Sequence, residues 1–184
     1  VVLGLALGAQ YSVGPLRLKG RGLAQIVTLW ALIFVGPMTL VAVTMGAALE
    51  PHTLLAFALY GAMQQGIVLL NTAEDVPEDR EADVRTAAIA LGLPGAVLGA
   101  LTLVVAGGGG LVGLWYAVGA RLALAPLALA WAWVALELAR LWRRVRVAPD
   151  EASALAILRP RARRVPLFIT ATAWSALLSA GLAS

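Results

Sequence analysis

Long apolar stretches constrain the fold of this chain more than any other feature of its sequence. With 61% hydrophobic and only 13% charged residues, the chain is too apolar for a soluble domain. A bilayer core of about 30 Å is crossed by roughly 20 apolar residues in a helix. Five stretches approach or exceed this length, at residues 23–48, 54–70, 86–106, 111–136 and 165–183. We therefore expect an all-α, polytopic transmembrane helix bundle with five full spans.

The remaining segments refine this expectation. Residues 1–13 are apolar but too short for a span, so they predict a partial N-terminal helix, and 1–184 is expected to be one membrane-embedded domain, the C-terminal part of a longer chain. Pro37 predicts a bend in the first full span. Four glycines at 107–110 predict a turn between the third and fourth spans. Residues 137–164 predict an amphipathic segment on the membrane surface that binds anionic headgroups.

The basic residues predict the orientation. The alternate connections 14–22, 72–86 and 137–164 hold 13 of the chain's 14 Lys and Arg residues, whereas 47–53 and 107–110 hold none. The positive-inside rule makes the first set cytoplasmic, in the inner or plasma membrane, with the C-terminus on the opposite side. The net charge of +4 does not indicate nucleic acid, because the Arg residues lie in short runs between spans. The absence of Cys excludes a disulfide framework and thiolate chemistry.

An acidic cluster follows the second apolar stretch. Six of the ten Asp and Glu residues lie between Glu74 and Asp83. Within and just before this cluster, Asn71, Asp75 and Asp79 have the spacing N-x3-D-x3-D, which places them near one side of a helix. Carboxylate and amide oxygens at this density suit Mg²⁺, which is held in proteins by one or two carboxylates plus substrate phosphates. The spacing therefore predicts a metal–phosphate site at the end of an apolar helix.

A solvated acidic loop is the alternative interpretation of this cluster. The metal–phosphate site is favoured because the acids interrupt an apolar stretch at the membrane edge and because Arg80 and Arg85 lie among them. The planar guanidinium matches phosphate oxygens well. A calcium-binding hand is excluded, since the mid-loop Gly and the final Glu are absent. Val76 before Pro77 predicts that one helix ends here and that a short surface helix begins.

Other polar residues leave alternatives open. Gln64 and Gln65 either contact a substrate or tie helices together. Arg121 is expected near the middle of its span, where a charge is costly, and no partner for it can be named. His52 lies in a non-cytoplasmic turn, so no catalytic role is expected for it. In the first connection, hydroxyls and cations form either a diphosphate anchor or an ordinary interfacial segment, at Tyr11, Ser12, Arg17 and Lys19.

Two segments together resemble the UbiA superfamily of membrane prenyltransferases. The first is Y-S-x-x-P-x-R-x-K-x-R, from Tyr11 to Arg21. The second is N-x3-D-x3-D-R-x4-R-T from Asn71 to Thr86, followed by Leu-Gly ending at Gly92. The resemblance covers nearly the whole chain, from the end of the family's fourth helix to its ninth.

The resemblance implies an enzyme that transfers a polyprenyl group from its diphosphate to an aromatic, quinone-precursor or other lipid acceptor. Mg²⁺ would bridge the diphosphate to two Asp-rich cytoplasmic motifs and stabilise the charge on the leaving group. It further implies that Asp75 and Asp79 are catalytic and that Asn71 completes this motif's metal ligands. The implied diphosphate-binding residues are Arg80, Arg85, Tyr11, Ser12, Arg17 and Lys19.

The chain also departs from the family pattern. Thr72 stands where many members have Asp, and Glu78 and Asp83 stand where Gly is frequent. The family's first Asp-rich motif would precede residue 1, so we expect missing N-terminal helices to complete the metal site and the isolated chain to be inactive. The alternatives are a non-catalytic or degenerate isoprenoid-binding membrane subunit and a small transporter. The position of the acids at the membrane edge weighs against transport.

Overall fold

The computed structural model describes residues 20–119 and 124–183, which are almost entirely helical and contain no strand. Five helices are long and apolar enough to cross a membrane, namely Ala24–Thr44, Pro51–Glu74, Ala87–Ala117, Leu124–Val145 and Val165–Leu182. This confirms the predicted all-α polytopic bundle with five spans. The helices are α1 (Ala24–Thr44), α2 (Pro51–Glu74), α3 (Val76–Glu81), α4 (Ala87–Ala117), α5 (Leu124–Val145), α6 (Glu151–Ala162) and α7 (Val165–Ala183).

Four of the spanning helices form a ring. Helix α2 packs against α4, α4 against α5, α5 against α7, and α7 returns to α2, while α1 packs on the outer side of α2. The buried side chains inside this ring are mostly aliphatic, with Phe168 and Met63 among the largest. Large apolar side chains such as Leu129 and Trp174 are exposed on its outside. An apolar exterior of this kind is what lipid requires.

Helix α1 changes its winding before the proline. Residues Trp30–Val35 form a π-helical stretch, in which the Gly36 N–H donates to the Ala31 carbonyl five residues earlier. Pro37 has no N–H and cannot continue the regular ladder, and such interruptions are often absorbed by a π-bulge. The structure thus has a π-helical segment just before Pro37, whereas the predicted bend of the helix axis stays a prediction.

The predicted turn at residues 107–110 is wrong. Helix α4 continues through all four glycines and ends at Ala117. A Cβ at Gly107 would lie 2.5 Å from the Leu59 carbonyl oxygen, and one at Gly66 would lie 2.6 Å from the Ala100 carbonyl oxygen. These glycines are therefore explained by the close approach of α2 and α4 rather than by a turn, a use of small residues that is common between membrane helices.

The boundaries of the next connection change accordingly. The third and fourth spans meet after Ala117 and before Leu124, not at the glycines. Arg121, expected within a span, lies outside the described residues.

The prediction of one surface segment over residues 137–164 is also partly wrong. Residues 137–145 continue spanning helix α5, and only α6 forms a separate helix. The side chain of Asp150 caps α6 by accepting a hydrogen bond of 2.7 Å from the Ser153 N–H. Helix α6 buries one face against α2, α4 and α5. That face consists of Ala154, Leu155, Leu158 and Ala162.

The connections alternate between the two ends of the bundle. Helix α1 begins beside the start of α4, where the Gly22 N–H donates to the Arg85 carbonyl at 2.7 Å. The connections 75–86 and 146–164 lie at this same end, which we call the acidic-motif end. Residues 45–50 lie at the opposite end, together with Val118, Gly119 and the end of α7.

Candidate functional site

The three predicted metal ligands are spaced at intervals of about one helical turn. Asn71 lies in the last turn of α2, Asp75 between α2 and α3, and Asp79 within α3. The Asp75 N–H donates to the Asn71 carbonyl at 3.1 Å, and the Asp79 N–H donates to the Asp75 carbonyl at 2.8 Å. The i to i+4 spacing therefore continues across the break before Pro77. The prediction that a helix ends near Val76 and a short one follows agrees with this geometry.

The three residues differ in their depth. Asn71 and Asp75 are exposed, whereas the side chain of Asp79 is buried, with 6% of its residue surface exposed. The Asp79 carbonyl also accepts a hydrogen bond of 2.8 Å from the Val84 N–H, which folds the following loop back over α3. A buried carboxylate next to exposed oxygen donors can face a ligand held at the surface.

These donors fit Mg²⁺ as one side of a coordination site. Two carboxylates and one amide oxygen are hard ligands of the kind that Mg²⁺ prefers. Within residues 20–119 and 124–183, no group of three or more His, Cys, Asp and Glu side chains is arranged to hold a metal ion. The remaining ligands would therefore come from substrate phosphates, water or groups outside the described residues.

Arg80 is held by a carboxylate that the sequence analysis did not identify. Its Nη1 and Nη2 donate to Glu151 Oε1 and Oε2, at 2.7 and 3.1 Å. The hydrogen bond to Glu151 raises the pKa of Arg80, and the same bond lowers the pKa of Glu151. Because the Glu151 pKa is lowered, the pair is fully formed above the ordinary glutamate range and is lost as the pH falls through the lowered value.

Glu151 carries one sequence signal that could have drawn attention to it. Asp150 and Glu151 are adjacent acids inside an otherwise arginine-rich segment. Their separation of 71 residues from Arg80 conceals the contact, which depends on how α6 docks. A second pair, between Arg159 Nη2 and Glu78 Oε1 at 3.7 Å, also joins α6 to α3.

Of the other predicted diphosphate-binding residues, the structure describes only Arg85. Arg85 is exposed at the start of α4. Tyr11, Ser12, Arg17 and Lys19 lie outside the described residues. The residues that follow this segment lie near Arg85. The Gly22 N–H donates to the Arg85 carbonyl, and Gln25 Oε1 accepts from the Ala87 N–H at 2.9 Å.

Gln25 is a site-forming residue that the sequence analysis missed. It is buried, with 2% of its surface exposed, and it satisfies one of the N–H groups at the start of α4. The available signal was a lone amide near the start of an apolar span.

Two backbone positions in the motif require unusual conformations. Asp83 has a φ of 52°, in the left-handed region that glycine adopts most readily. Asp is among the residues that tolerate this region. Gly92 has a φ of 68° and marks a kink within α4, two residues before Pro94.

The sequence model of the UbiA prenyltransferase family matches residues 1–159, most of the chain, including the acidic motif and the larger part of α6. The chain belongs to the UbiA prenyltransferase family. Membership implies membrane prenyltransferase activity at the level of the family. Searches of curated proteins and of solved structures give no match.

In this UbiA family member, the contacts of Gln64 support the interpretation that it ties helices together, whereas the role of Gln65 stays open. Gln64 Nε2 donates to Thr172 Oγ1 at 2.9 Å and so joins α2 to α7. Both Gln64 and Gln65 are almost fully buried. His52 lies at the opposite end of the bundle, exposed and 3.4 Å from a carboxylate oxygen of Glu50.

An apolar cavity of about 390 Å³ lies in the half of the bundle away from the acidic motif. Helices α1, α2, α4 and α7 contribute to its walls, and the ring of Tyr60 is among the lining groups. Tyr60 precedes Asp75 by fifteen positions, mostly along α2, which is about 22 Å at 1.5 Å per residue. The other lining residues are Met38, Ala56, Phe57, Leu111, Trp115, Ala173, Ala176 and Leu177.

Proposed function

We propose that this protein transfers a polyprenyl group from a polyprenyl diphosphate to an aromatic, quinone-precursor or other lipid acceptor within the membrane. The observation that carries the proposal is the continuous run of Asn71, Asp75 and Asp79 at the end of an apolar spanning helix, in a chain of the UbiA family. Such a run places oxygen donors where a lipid headgroup meets water.

Each residue in this proposal has a distinct role. Asn71, Asp75 and Asp79 would hold Mg²⁺, which supplies positive charge that stabilises the leaving diphosphate when it is bound. The buried position of Asp79 limits competition by water for its carboxylate. Arg80 and Arg85 would donate hydrogen bonds to phosphate oxygens. Tyr11, Ser12, Arg17 and Lys19 are proposed to border the same headgroup from the first connection.

The substrate's apolar tail is proposed to run along the bundle from the acidic-motif end. The cavity beside Tyr60 supports this, because it is apolar and lies about 22 Å along the helix axis from Asp75. A tail of several isoprene units has a comparable length. Burial of such a tail contributes affinity through the apolar surface removed from water.

The acidic-motif end is proposed to face the cytoplasm of a cell with this protein in its inner or plasma membrane. All Arg residues that the structure describes lie at this end or in the adjoining last turns of α5. Such an asymmetry favours the cytoplasmic side. The opposite end, with the C-terminus, would face away from the cytoplasm.

The test is Mg²⁺-dependent transfer from a labelled polyprenyl diphosphate, measured on the full protein in lipid vesicles with candidate acceptors. Asp75→Asn and Asp79→Asn are each expected to reduce kcat by about 10²-fold or more, because charge stabilisation of this kind contributes at that scale. Glu81→Gln is the matched control, since Glu81 is an exposed acid of α3 outside the N-x3-D-x3-D spacing.

Two results would contradict the proposal. Transfer that is unchanged in both Asp variants would remove the acidic motif from the reaction. Mg²⁺-dependent binding of the diphosphate by the wild type, without transfer to any acceptor, would instead support a non-catalytic isoprenoid-binding protein.

A further inference from the structure

Two ion pairs join α3, which carries Asp79 of the acidic motif, to α6. Arg80 contacts Glu151 through two hydrogen bonds, whereas Arg159 approaches Glu78 through one contact at 3.7 Å. The side chains of both pairs are between about half and two thirds exposed. Exposed ion pairs contribute little to stability, and α6 already docks through a buried apolar face, so neither pair is needed to hold α6 in place.

The geometry of the Arg80–Glu151 pair leaves one edge of the guanidinium available. Glu151 contacts Nη1 and Nη2, the two nitrogens at the end of the group. A guanidinium has five N–H donors in a fixed plane, so the edge formed by Nε and the second N–H of Nη2 is not used by Glu151. That edge has the two parallel donors that match two oxygens of a phosphate.

We propose that Glu151 is a positioning residue that fixes Arg80, the residue after Asp79 in α3, with the Nε edge of its guanidinium open to the substrate diphosphate. The inference rests on the proposed function, because it takes Arg80 as a diphosphate contact. A free arginine side chain loses rotamer freedom when it binds a ligand, and a side chain fixed in advance loses less. Glu151 therefore increases diphosphate affinity although it carries a negative charge.

The direction of the change in anion affinity on removing Glu151 distinguishes positioning of Arg80 from a purely electrostatic effect. Removal of a carboxylate near an anion site raises the local positive potential and, by charge alone, tightens anion binding. Positioning predicts the reverse for Glu151→Gln. We expect Glu151→Gln to weaken binding of inorganic pyrophosphate with Mg²⁺ by about 2- to 10-fold, the range for one side chain immobilised on binding.

The experiment measures pyrophosphate dissociation constants by calorimetry on the full protein in detergent micelles, for five variants beside the wild type. Arg80→Gln is expected to weaken binding at least as much as Glu151→Gln. The double variant Arg80→Gln/Glu151→Gln is expected to match Arg80→Gln alone, because Glu151 acts through Arg80. Glu78→Gln breaks the other pair between the same helices and is expected not to weaken pyrophosphate binding.

A charge exchange separates positioning from a mere link between helices. Arg80→Glu/Glu151→Arg restores an ion pair between α3 and α6 but removes the guanidinium from its place after Asp79. Its binding is expected to remain as weak as that of Arg80→Gln. Recovery to the wild-type value would overturn the inference, as would tighter or unchanged binding in Glu151→Gln, or an Arg80→Gln variant without effect.

Steady-state kinetics with a polyprenyl diphosphate distinguishes this inference from the proposed function. Glu151→Gln is expected to raise KM with little change in kcat, since it alters ground-state contact with the diphosphate. If the wild type binds pyrophosphate in an Arg80- and Glu151-dependent way but transfers no prenyl group, the proposed function fails and the inference stands. If the wild type transfers prenyl groups and Glu151→Gln does not weaken affinity, the inference fails and the function stands.

Discussion

The hydroxyl of Thr172 makes hydrogen bonds in two directions within the apolar bundle. It donates to the Phe168 carbonyl at 2.8 Å, with the Ile169 carbonyl at 3.1 Å, and it accepts the bond from Gln64. Gln64 Oε1 is buried without a hydrogen-bond partner in the described part of the chain. Thr172 is thus the acceptor of the Gln64 amide N–H, and it retains its own acceptors if the amide is removed.

This asymmetry predicts different costs for the two partners. Thr172→Val leaves the buried Gln64 amide N–H without its acceptor and is expected to lower the free energy of unfolding by about 1 to 3 kcal/mol. Gln64→Leu removes the amide altogether at similar volume and is expected to cost less than about 1 kcal/mol, the usual range for interhelical hydrogen bonds in membranes. Unfolding in mixed micelles with increasing SDS measures both values. Equal losses in the two variants would contradict the asymmetry.

Three residues depart from the family pattern, and the structure shows a local feature at two of them. Asp83 occupies a left-handed conformation, which Gly adopts most readily and Asp tolerates. Glu78, the other departure, has gained an ion-pair partner in Arg159. Nothing in the structure explains Thr72 in place of Asp.

At the scale of elements, the contact between α2 and α4 organises the bundle around small residues. Gly66 on α2 and Gly107 on α4 each face backbone of the other helix, within the distance that a Cβ would occupy. Gly108 and Gly109 face the ring of Trp131, whose Nε1 donates to the Val104 carbonyl at 3.0 Å. The glycine run thus admits α2 on one side and α5 on the other.

The glycine contact gives a matched pair of substitutions on one helix. Gly107→Ala places its Cβ 2.5 Å from backbone atoms of Leu59 and Met63, which cannot move without shifting α2. We expect it to lower the free energy of unfolding by about 1 to 3 kcal/mol, the range for overpacking. Gly113→Ala meets no atom within 4 Å and is expected to be neutral or to stabilise by up to about 1 kcal/mol, as alanine favours the helix. SDS unfolding compares the two, and a neutral Gly107→Ala would show that α2 and α4 approach less closely.

At the scale of the whole molecule, the charged residues are distributed unequally between the two ends of the bundle, and this determines which groups a ligand at the acidic motif can contact. Two connections, the start of α1, the acidic motif and the described Arg residues share one end, while the exposed pair Glu50 and His52 lies at the other. A headgroup at the acidic-motif end would meet both the carboxylates and the cations. The apolar outer surface of the ring would remain in lipid.

The proposed orientation is measurable because the sequence contains no cysteine. Single-cysteine variants Ala47→Cys and Ala82→Cys place one thiol at each end, both at exposed positions. On intact cells, a membrane-impermeant maleimide is expected to label Ala47→Cys, and to label Ala82→Cys only after permeabilisation. The reverse pattern would place the acidic motif outside the cytoplasm.

Much of this architecture could be predicted from the sequence. Both errors concern the end of a helix, which local composition did not determine. The number of spans and the helix break at Pro77 depend on local hydropathy and on the missing proline N–H, so they were predictable. The turn at 107–110 was wrong because a glycine run has the same composition whether it breaks a helix or admits a neighbour. Residues 137–164 were misassigned in part because the arginines begin within the last turns of α5.

The sequence by itself determined that this is an all-helical membrane protein of the UbiA type, with an Asn-Asp-Asp motif at the end of its second described span. These properties depend on residues close together in the chain. Tertiary structure alone decided that Glu151 holds Arg80, that Gln25 holds the start of α4, and that glycines serve contact rather than a turn. Such contacts join residues far apart in the chain, and they exist only after the helices have packed and fixed which faces meet.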